Sequence, residues 1–360
     1  MNTDLKSRIE SLDLLRGVAA LSVAVSHFFL SQDPLNSIAS QISVISVELF
    51  FVLSGFVLAP QIITCIAQKN FRTNIKTFLI RRWMRTIPPY LIALVCASLA
   101  FSEVRLADFF LYAFYVQNFF SQHLSQDYFF VAWSLSVEEW FYILFPALLY
   151  FLHKKIFKKH DFAFGEKYMI SALMIISVIA LCRYFFADQN SWGENVRRVV
   201  VFRLDSIAYG FIAYILILKL QKIHVIITTA SAVIFFMIAF LLANQITNAD
   251  QDVWKDGFLY ASAGFGICTV TALYTIDSRA SMRPKIFSRF CSGFGQASYS
   301  IYLFHSIVLS FIPMLPGLDL SLSLTVYCVV VVLFAYVFYR VIEKPILARR
   351  PHYKIQIPKL

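Results

Sequence analysis

The sequence predicts an all-α integral membrane protein, a polytopic bundle of about ten transmembrane helices with both termini in the cytoplasm. Hydrophobic residues make up 59% of the 360-residue chain and charged residues only 15%, proportions that soluble domains do not have. Runs of about 20 mainly apolar residues, each long enough to cross ~30 Å of hydrocarbon as a helix, recur along the whole length. Lys and Arg residues collect in alternate connections between these runs, as they do in the cytoplasmic loops of membrane proteins.

Ten apolar runs are predicted to span the membrane, and each is bounded by a turn or a charged segment. They cover residues 12–31, 43–64, 87–102, 131–152, 168–187, 199–218, 224–243, 257–276, 293–313 and 322–342. With the N-terminus inside, the cytoplasmic segments hold 24 of the 32 Lys and Arg residues. Residues 106–120 are also apolar but short, and a span there would place the basic segment from Lys154 to Lys159 outside. We expect a re-entrant or interfacial helix at 106–120.

The spans are expected to form one domain over residues 1–345, followed by a basic cytoplasmic tail at 346–360. Lys6 and Arg8 precede an apolar stretch as in a signal peptide, but nothing downstream resembles a secreted domain, so an uncleaved first span is expected. The net charge of +11 follows the topology rule and is spread over short loops, which argues against a nucleic-acid partner. The six cysteines lie apart without CxxC spacing, so neither a disulfide framework nor a metal site is predicted.

Several ionisable residues lie inside the predicted spans. Each costs about 2.5 to 3.5 kcal/mol at mid-bilayer on insertion scales, and such residues usually face a protein interior or a water-filled cavity. Arg16 and His27 are eleven residues apart in the first span, which puts them almost on one helix face and about 16 Å apart. The simpler alternatives are an Arg16 side chain that extends to the interface and a His27 that only packs. Arg203 and Asp205, two positions apart, cannot face each other, so each needs a partner on another helix.

Two spans carry polar stripes. In the fourth, Ser134, Glu138 and Tyr142 are four residues apart and share one helical face. In the ninth, Tyr302 and His305 are three residues apart and also share a face. The two stripes indicate a lined cavity, although hydrogen bonding between helices without any ligand explains them as well.

The segment RRWMRTIPPY contains a basic pair beside two prolines. Arg82 and Arg85 are three residues apart, and Pro88 and Pro89 suit the first turn of the third span. Guanidinium groups beside a helix N-terminus favour phosphate, because their fork-shaped donors and the helix dipole both attract anions. Positive-inside topology alone is the alternative explanation.

Several of these motifs together resemble acyltransferase family 3, the membrane O-acyltransferases that modify envelope and secreted glycans in bacteria. They run in the family's order along nearly the whole chain. The matching stretches are Arg16-x10-His27, FFVLSGF at 50–56, Arg82-x-x-Arg85, WSLSVEE at 133–139, SYSIYLFH at 298–305 and IEKP at 342–345. The chain departs from the family at Trp140, where relatives often have glutamine, and is expected to lack the extracytoplasmic hydrolase-like domain that some relatives carry.

The resemblance implies an enzyme of the bacterial inner membrane that moves an acyl group, usually acetyl from cytoplasmic acetyl-CoA, to a hydroxyl of a glycan or glycolipid. Residues 1–345 would then be the transmembrane acyltransferase domain, without a metal. The expected donor-binding residues are Arg16, Arg82 and Arg85. The expected catalytic residues are His27 as general base and Glu138 as the group that orients it. The expected residues for acceptor binding or oxyanion stabilisation are Ser134, Tyr302 and His305.

A different class of function suits the same buried charges. In a secondary transporter or a flippase of a lipid-linked glycan they would form a proton relay and a substrate path. A membrane scaffold without chemistry is the third alternative, and it would leave the costly charges without a purpose. The sequence leaves open the acceptor glycan, the acyl chain, the oligomeric state and the side of the membrane on which transfer ends.

Overall fold

The protein is an all-helical bundle over the part of the chain that the computed structural model describes, which confirms the predicted fold class. That part comprises residues 9–68, 70–101, 104–122, 127–157, 164–187, 192–220, 224–246, 252–279, 284–311 and 319–353, and it contains no β-strand. Its α-helices are α1 (Glu10–Gln32), α2 (Ser37–Ala67), α3 (Phe71–Ala100), α4 (Leu106–Ala113), α5 (Ala132–Phe151), α6 (Phe164–Phe186), α7 (Leu204–Lys219), α8 (Val225–Ile246), α9 (Asp252–Arg279), α10 (Lys285–Phe311), α11 (Leu320–Phe338) and α12 (Lys344–Ala348).

Nine helical segments in the described ranges are long and apolar enough to cross a membrane: α1, α2, α3, α5 to α9, and α11 with its continuation to Ala348. The 27-residue α10 is not among them, because polar side chains such as Arg289 and Gln296 lower its average hydropathy. Its length of about 40 Å is nevertheless sufficient to span a bilayer, and it packs against both α1 and α11. The helices therefore match the predicted bundle of about ten spans.

The third helix starts earlier than predicted. We expected Pro88 and Pro89 in its first turn, but α3 (Phe71–Ala100) runs through both prolines. Arg82 and Arg85 consequently lie in the middle of a helix and not beside a helix N-terminus. The expectation that a helix dipole assists these two guanidiniums is wrong.

Packing explains why the helix continues through the prolines, although an interior proline costs roughly 3 kcal/mol or more. Asn74 and Phe78 are buried on the half of α3 that precedes the prolines. In the last turn before them, the hydroxyl of Tyr299 on α10 donates a hydrogen bond to the carbonyl oxygen of Thr86 (3.0 Å). Contacts with neighbouring helices thus offset part of the energetic cost of the prolines.

We predicted that the apolar segment at 106–120 does not span the bundle, and it does not. Less of the segment is helical than expected. Helix α4 has only eight residues, or about 12 Å, and turns follow it. The chain reverses at Tyr115, which has a left-handed backbone (φ 57°). The indole of Trp140 on α5 donates a hydrogen bond to the carbonyl oxygen of Tyr115 (2.9 Å) and so holds this turn against the bundle.

Two buried ion pairs connect α2, α6 and the start of α7, and a hydrogen bond from one of them reaches α9. Arg203, just before α7, pairs with Glu48 on α2 at 2.5 Å, and both side chains are almost completely buried. Arg183 on α6 pairs with Asp205 on α7 at 3.0 Å and donates to the hydroxyl of Tyr260 on α9 (2.9 Å). As the spacing of Arg203 and Asp205 predicts, each finds its partner on a different helix.

Helices α2 and α7 cross at Gly55 and Gly210, where their backbones lie in close contact. A Cβ atom on Gly210 would contact the backbone carbonyl of Val52. We expect Gly210→Ala to lower the free energy of unfolding by about 1 to 3 kcal/mol, because backbone has to move to make room. The midpoint of thermal unfolding in detergent measures the effect. Gly193→Ala is the control, since nothing lies within 4 Å of its Cβ position; equal midpoints for the two variants would contradict the prediction.

The end of the described chain packs on α3. Arg81 donates a hydrogen bond to the carbonyl oxygen of Pro351 (2.5 Å), and the hydroxyl of Tyr353 donates to the side-chain oxygen of Gln61 on α2 (3.1 Å). Of the predicted tail at 346–360, residues 354–360 lie outside the described residues, as do residues 1–8 at the N-terminus.

Candidate active site

A cavity of about 250 Å³ lies between α1, α2, α3, α5 and α10. We call it the arginine cavity. Six of the eight predicted site residues line its wall: Arg16, Arg82, Arg85, Ser134, Glu138 and Tyr302. Helix packing therefore brings together side chains that lie up to 286 positions apart in the sequence.

Three cations converge on one end of the arginine cavity. Arg16 on α1 lies 3.6 Å from Asp13 in the previous turn of its helix. Arg82 on α3 donates a hydrogen bond to Gln61 (2.5 Å), while its Nε is buried without a hydrogen-bond partner. Arg85 lines the cavity one turn further along α3. Three guanidiniums and two acidic side chains, Asp13 and Glu138, line the cavity, and the excess of positive charge favours a polyanion such as a phosphate group.

The two predicted polar stripes meet across the arginine cavity. The hydroxyls of Ser134 on α5 and Tyr302 on α10 lie 2.6 Å apart and share a hydrogen bond. Glu138, one turn along α5, accepts hydrogen bonds from Tyr142 (2.5 Å) and from Ser54 of α2 (2.9 Å). The carboxylate of Glu138 is thus bonded within the cavity wall, and the ring of His27 has another partner.

That partner is His305. Nδ1 of His27 on α1 lies 2.8 Å from Nε2 of His305 on α10, and the two rings stack with centroids 5.1 Å apart. On α11, the hydroxyl of Tyr327 lies 3.2 Å from the backbone carbonyl oxygens of both Ala24 and His305. Neighbouring helices therefore fix the relative position of the two imidazoles.

The hydrogen-bond chain assigns the protons on these imidazoles. Nδ1 of His305 lies 2.7 Å from the carbonyl oxygen of Tyr302, and because a carbonyl only accepts, this Nδ1 carries a hydrogen. In a neutral His305 ring, Nε2 then accepts the hydrogen of His27 Nδ1. The remaining nitrogen, Nε2 of His27, then carries no hydrogen and accepts a hydrogen bond from the hydroxyl of Ser43 (3.2 Å). In this arrangement His27 presents a basic nitrogen.

His27 and Ser43 line a second cavity, of about 110 Å³, which we call the histidine cavity. It lies toward the other end of α1, since it reaches Leu30 while the arginine cavity reaches Ile9. The two cavities share Val47 and Tyr302 as wall residues. The two cavities thus lie toward opposite ends of α1 and adjoin at these two wall residues.

The histidine cavity is also lined by residues that belong to none of the sequence motifs. Arg197 and Arg198 line it together with His27. The predicted topology places both arginines in a loop and gives them no other role. Burial, and next the positive charge of Arg198, lower the pKa of Arg197 to about 9. One signal in the sequence could have found them: two adjacent arginines in a segment predicted to face outside run against the positive-inside rule.

Comparison with known proteins agrees with this architecture. The chain is similar to the O-acetyltransferase OatA of Staphylococcus aureus (strain NCTC 8325 / PS 47), with 26% identity over 370 residues that cover 94% of this chain and 57% of the relative. It is 27% identical to the putative O-acetyltransferases SACOL0978 of strain COL and SAS0844 of strain MSSA476, over 94% and 93% of this chain and 57% and 56% of theirs. The chain spans a little over half the length of these relatives.

The family match covers almost the entire chain. No solved structure matches the chain. The family described as an acyltransferase domain, Acyl_transf_3, matches residues 9–340, which include α1 to α11 and every residue of both cavities. The chain therefore belongs to the acyltransferase 3 family of membrane proteins.

Proposed function

We propose that the protein is an integral membrane O-acetyltransferase that moves an acetyl group from cytoplasmic acetyl-CoA to a hydroxyl of a cell-envelope or exported glycan. One observation carries the proposal: the arginine cavity and the histidine cavity meet at Tyr302, beside the basic nitrogen of His27. The printed names of the relatives, O-acetyltransferases, support the choice of acetyl. Residues 1–345 are assigned to the catalytic domain, in the bacterial inner membrane with both termini in the cytoplasm.

The arginine cavity is the proposed donor site. Arg16, Arg82 and Arg85 carry the positive charge that the phosphates of CoA require, and the cavity continues from them to Ser134 and Tyr302. A donor anchored by its phosphates would extend its thioester along this wall toward the imidazole pair. Anchoring a remote part of the substrate in this way positions the reacting carbonyl without charge at the reaction centre.

His27 is the proposed general base. Its Nε2 removes the proton of the acceptor hydroxyl while the hydroxyl oxygen attacks the thioester carbonyl carbon. When the tetrahedral intermediate collapses, the C–S bond breaks, and the sulfur of CoA leaves as a thiolate that takes the proton back from the imidazolium. The products are the acetyl ester and free CoA. His305 holds the Nδ1 hydrogen of His27 throughout and so fixes its tautomer, the role first expected of Glu138.

The hydroxyls of Tyr302 and Ser134 are the proposed donors to the developing oxyanion. They are bonded to each other at 2.6 Å at the junction of the two cavities, so either can redirect a hydrogen bond to a negatively charged oxygen there. Glu138 fixes Tyr142 and Ser54 in the wall of the donor site.

We expect Arg85→Gln to raise the KM for acetyl-CoA about tenfold while kcat changes little, because one charge-assisted contact to a phosphate is lost in the ground state and the transition state alike. Steady-state kinetics with labelled acetyl-CoA measures both constants. Arg81→Gln is the matched control, because Arg81 belongs to the same helix but binds the Pro351 carbonyl and does not line the cavity. A loss of kcat at an unchanged KM in Arg85→Gln would contradict its placement at the donor.

Labelled acetyl-CoA also tests the proposed function as a whole. Purified protein in liposomes receives ¹⁴C-acetyl-CoA and glycan fragments from the envelope of the organism that encodes the chain. Label that becomes alkali-labile and glycan-bound supports an O-acetyltransferase. Movement of a glycan across the liposome membrane without label on it would instead favour the transporter or flippase alternative.

A further inference from the structure

The histidine cavity is lined by a cation, Arg197, for which the described part of the chain provides no counterion. The guanidinium carbon of Arg197 lies 4.8 Å from the centroid of the Trp133 ring, a cation–π contact that supplies no hydrogen-bond acceptor. Its Nε is buried and has no hydrogen-bond partner. Among the residues that the structure describes, no acidic side chain forms an ion pair with Arg197.

The other charges around the cavity are already compensated. Arg198 forms ion pairs with Asp127 (3.1 Å) and with Glu194 (2.9 Å). The carboxylate of Glu48 also acts electrostatically on Arg197, but it is bonded to Arg203 at 2.5 Å. Arg197 is thus the unbalanced positive charge at the wall of the histidine cavity.

Arg197 is partly buried. A cation that is shielded from water without an ion-pair partner is costly, and a ligand that brings a negative charge lowers that cost. The donor does not serve this purpose, because its proposed phosphate site lies at the opposite end of the bundle, around Arg82 and Arg85. The ligand that enters the histidine cavity next to Nε2 of His27 is the acceptor. Because Arg197 and His27 line the same cavity of about 110 Å³, the negative group must lie within roughly one sugar unit of the reacting hydroxyl.

We propose that the acceptor is an anionic glycan, with a carboxylate or phosphate on or next to the sugar that is acetylated, and that Arg197 binds this group. The inference rests on the proposed function and adds the chemical class of the acceptor to it. Arg197 acts in substrate binding, whereas His27 performs the proton transfer.

The experiment compares one glycan preparation in three forms. Envelope glycan fragments are used untreated, with their carboxyl groups converted to neutral methylamides, or with their phosphate esters removed by hydrofluoric acid. The full-length protein in liposomes receives ¹⁴C-acetyl-CoA and each preparation in turn. We expect a fall of about tenfold or more in kcat/KM after one of the two treatments, and which treatment causes it distinguishes a carboxylate from a phosphate.

Variants of Arg197 separate binding from chemistry. With untreated glycan, Arg197→Gln should raise the KM for acceptor about tenfold, and Arg197→Lys should restore part of that loss because it keeps the charge. With the neutralised glycan, Arg197→Gln and the wild type should be equal. Arg105→Gln is the matched control, since Arg105 lies in another predicted outside segment, is exposed, and does not line the cavity. Unfolding midpoints of all variants show that each is folded.

Three outcomes would overturn the inference. Equal transfer to all three glycan preparations would show that no anion is recognised, while the acetyltransferase function would stand. An equal loss of kcat on charged and neutralised glycan in Arg197→Gln would place Arg197 at the reacting atoms. Transfer of label to none of the preparations by the wild type would remove the proposed function itself, and the inference with it.

Discussion

Replacing His27 with alanine is expected to lower the rate of acetyl transfer by about a hundredfold to ten-thousandfold, the usual contribution of a positioned general base. The hydrogen-bond chain from the Tyr302 carbonyl through His305 leaves Nε2 of His27 without a hydrogen, and among the described residues no other imidazole lines either cavity. Because the donor contacts lie elsewhere, the KM for acetyl-CoA should change little. Initial rates with labelled acetyl-CoA and saturating acceptor measure the effect.

Two controls make the result specific. His224→Ala should transfer acetyl at the wild-type rate, because His224 is an exposed residue just before α8. Imidazole added to His27→Ala should restore part of the rate by entering the space of the missing ring, which a variant with a disturbed fold would not show. Normal transfer by purified His27→Ala would contradict the assignment of the base.

Replacing Glu48 with alanine is expected to have the largest effect on stability, about 3 to 5 kcal/mol of the free energy of unfolding. The substitution leaves Arg203 buried without its counterion, and two nitrogens of that guanidinium already lack hydrogen-bond partners. The pair also joins α2 to the start of α7, so its loss should loosen the wall next to Val47. Thermal unfolding in detergent micelles, followed by circular dichroism, measures the change.

The half-exposed pair between Glu166 and Lys219, at 3.4 Å, provides the comparison. Its disruption by Glu166→Ala should cost less than about 1 kcal/mol, as for most solvent-exposed ion pairs. The double variant Glu48→Leu with Arg203→Leu should recover much of the stability lost in Glu48→Ala, because it removes both buried charges together. Equal unfolding midpoints for Glu48→Ala and Glu166→Ala would contradict the structural role of the buried pair.

The helical bundle could be predicted from the sequence because the bilayer imposes a strong constraint on composition. A span needs about 20 apolar residues, and each predicted run coincides with a helix or with part of one. The start of α3 could not be predicted in the same way. Prolines usually mark a first helical turn, and only the tertiary contacts of Asn74, Phe78 and Tyr299 show why the helix extends through Pro88 and Pro89.

Helical periodicity predicted which side chains share a face, but not what that face meets. Ser134, Glu138 and Tyr302 line one cavity, as their spacing indicated. The partner of His27 could not be derived, because His27 and His305 are 278 residues apart and the distance between α1 and α10 is set by packing. The close approach of these helices depends on Gly295, where a Cβ atom would touch the backbone of Asp13.

The proposed role of Arg197 could not be predicted from sequence motifs. Its position in a segment predicted to lie outside made it one of several loop charges, and no spacing connects it with His27. Only the cavity that both residues line, and the ion pairs that occupy Arg198 and Glu48, distinguish it from the other basic residues. Charge compensation is a property of three-dimensional neighbours, and sequence order does not record it.

The proposal that donor and acceptor occupy two cavities that adjoin at Tyr302 is tested most directly by acetyl transfer between separate compartments. Proteoliposomes are selected in which all copies of the protein have the C-terminus outside, ¹⁴C-acetyl-CoA is added outside, and envelope glycan is enclosed inside. If donor and acceptor enter from opposite ends of the bundle, the enclosed glycan becomes labelled while acetyl-CoA itself stays outside. Label that appears only when glycan and acetyl-CoA share one compartment would show that both substrates enter from the same end, and would refute the arrangement proposed for this active site.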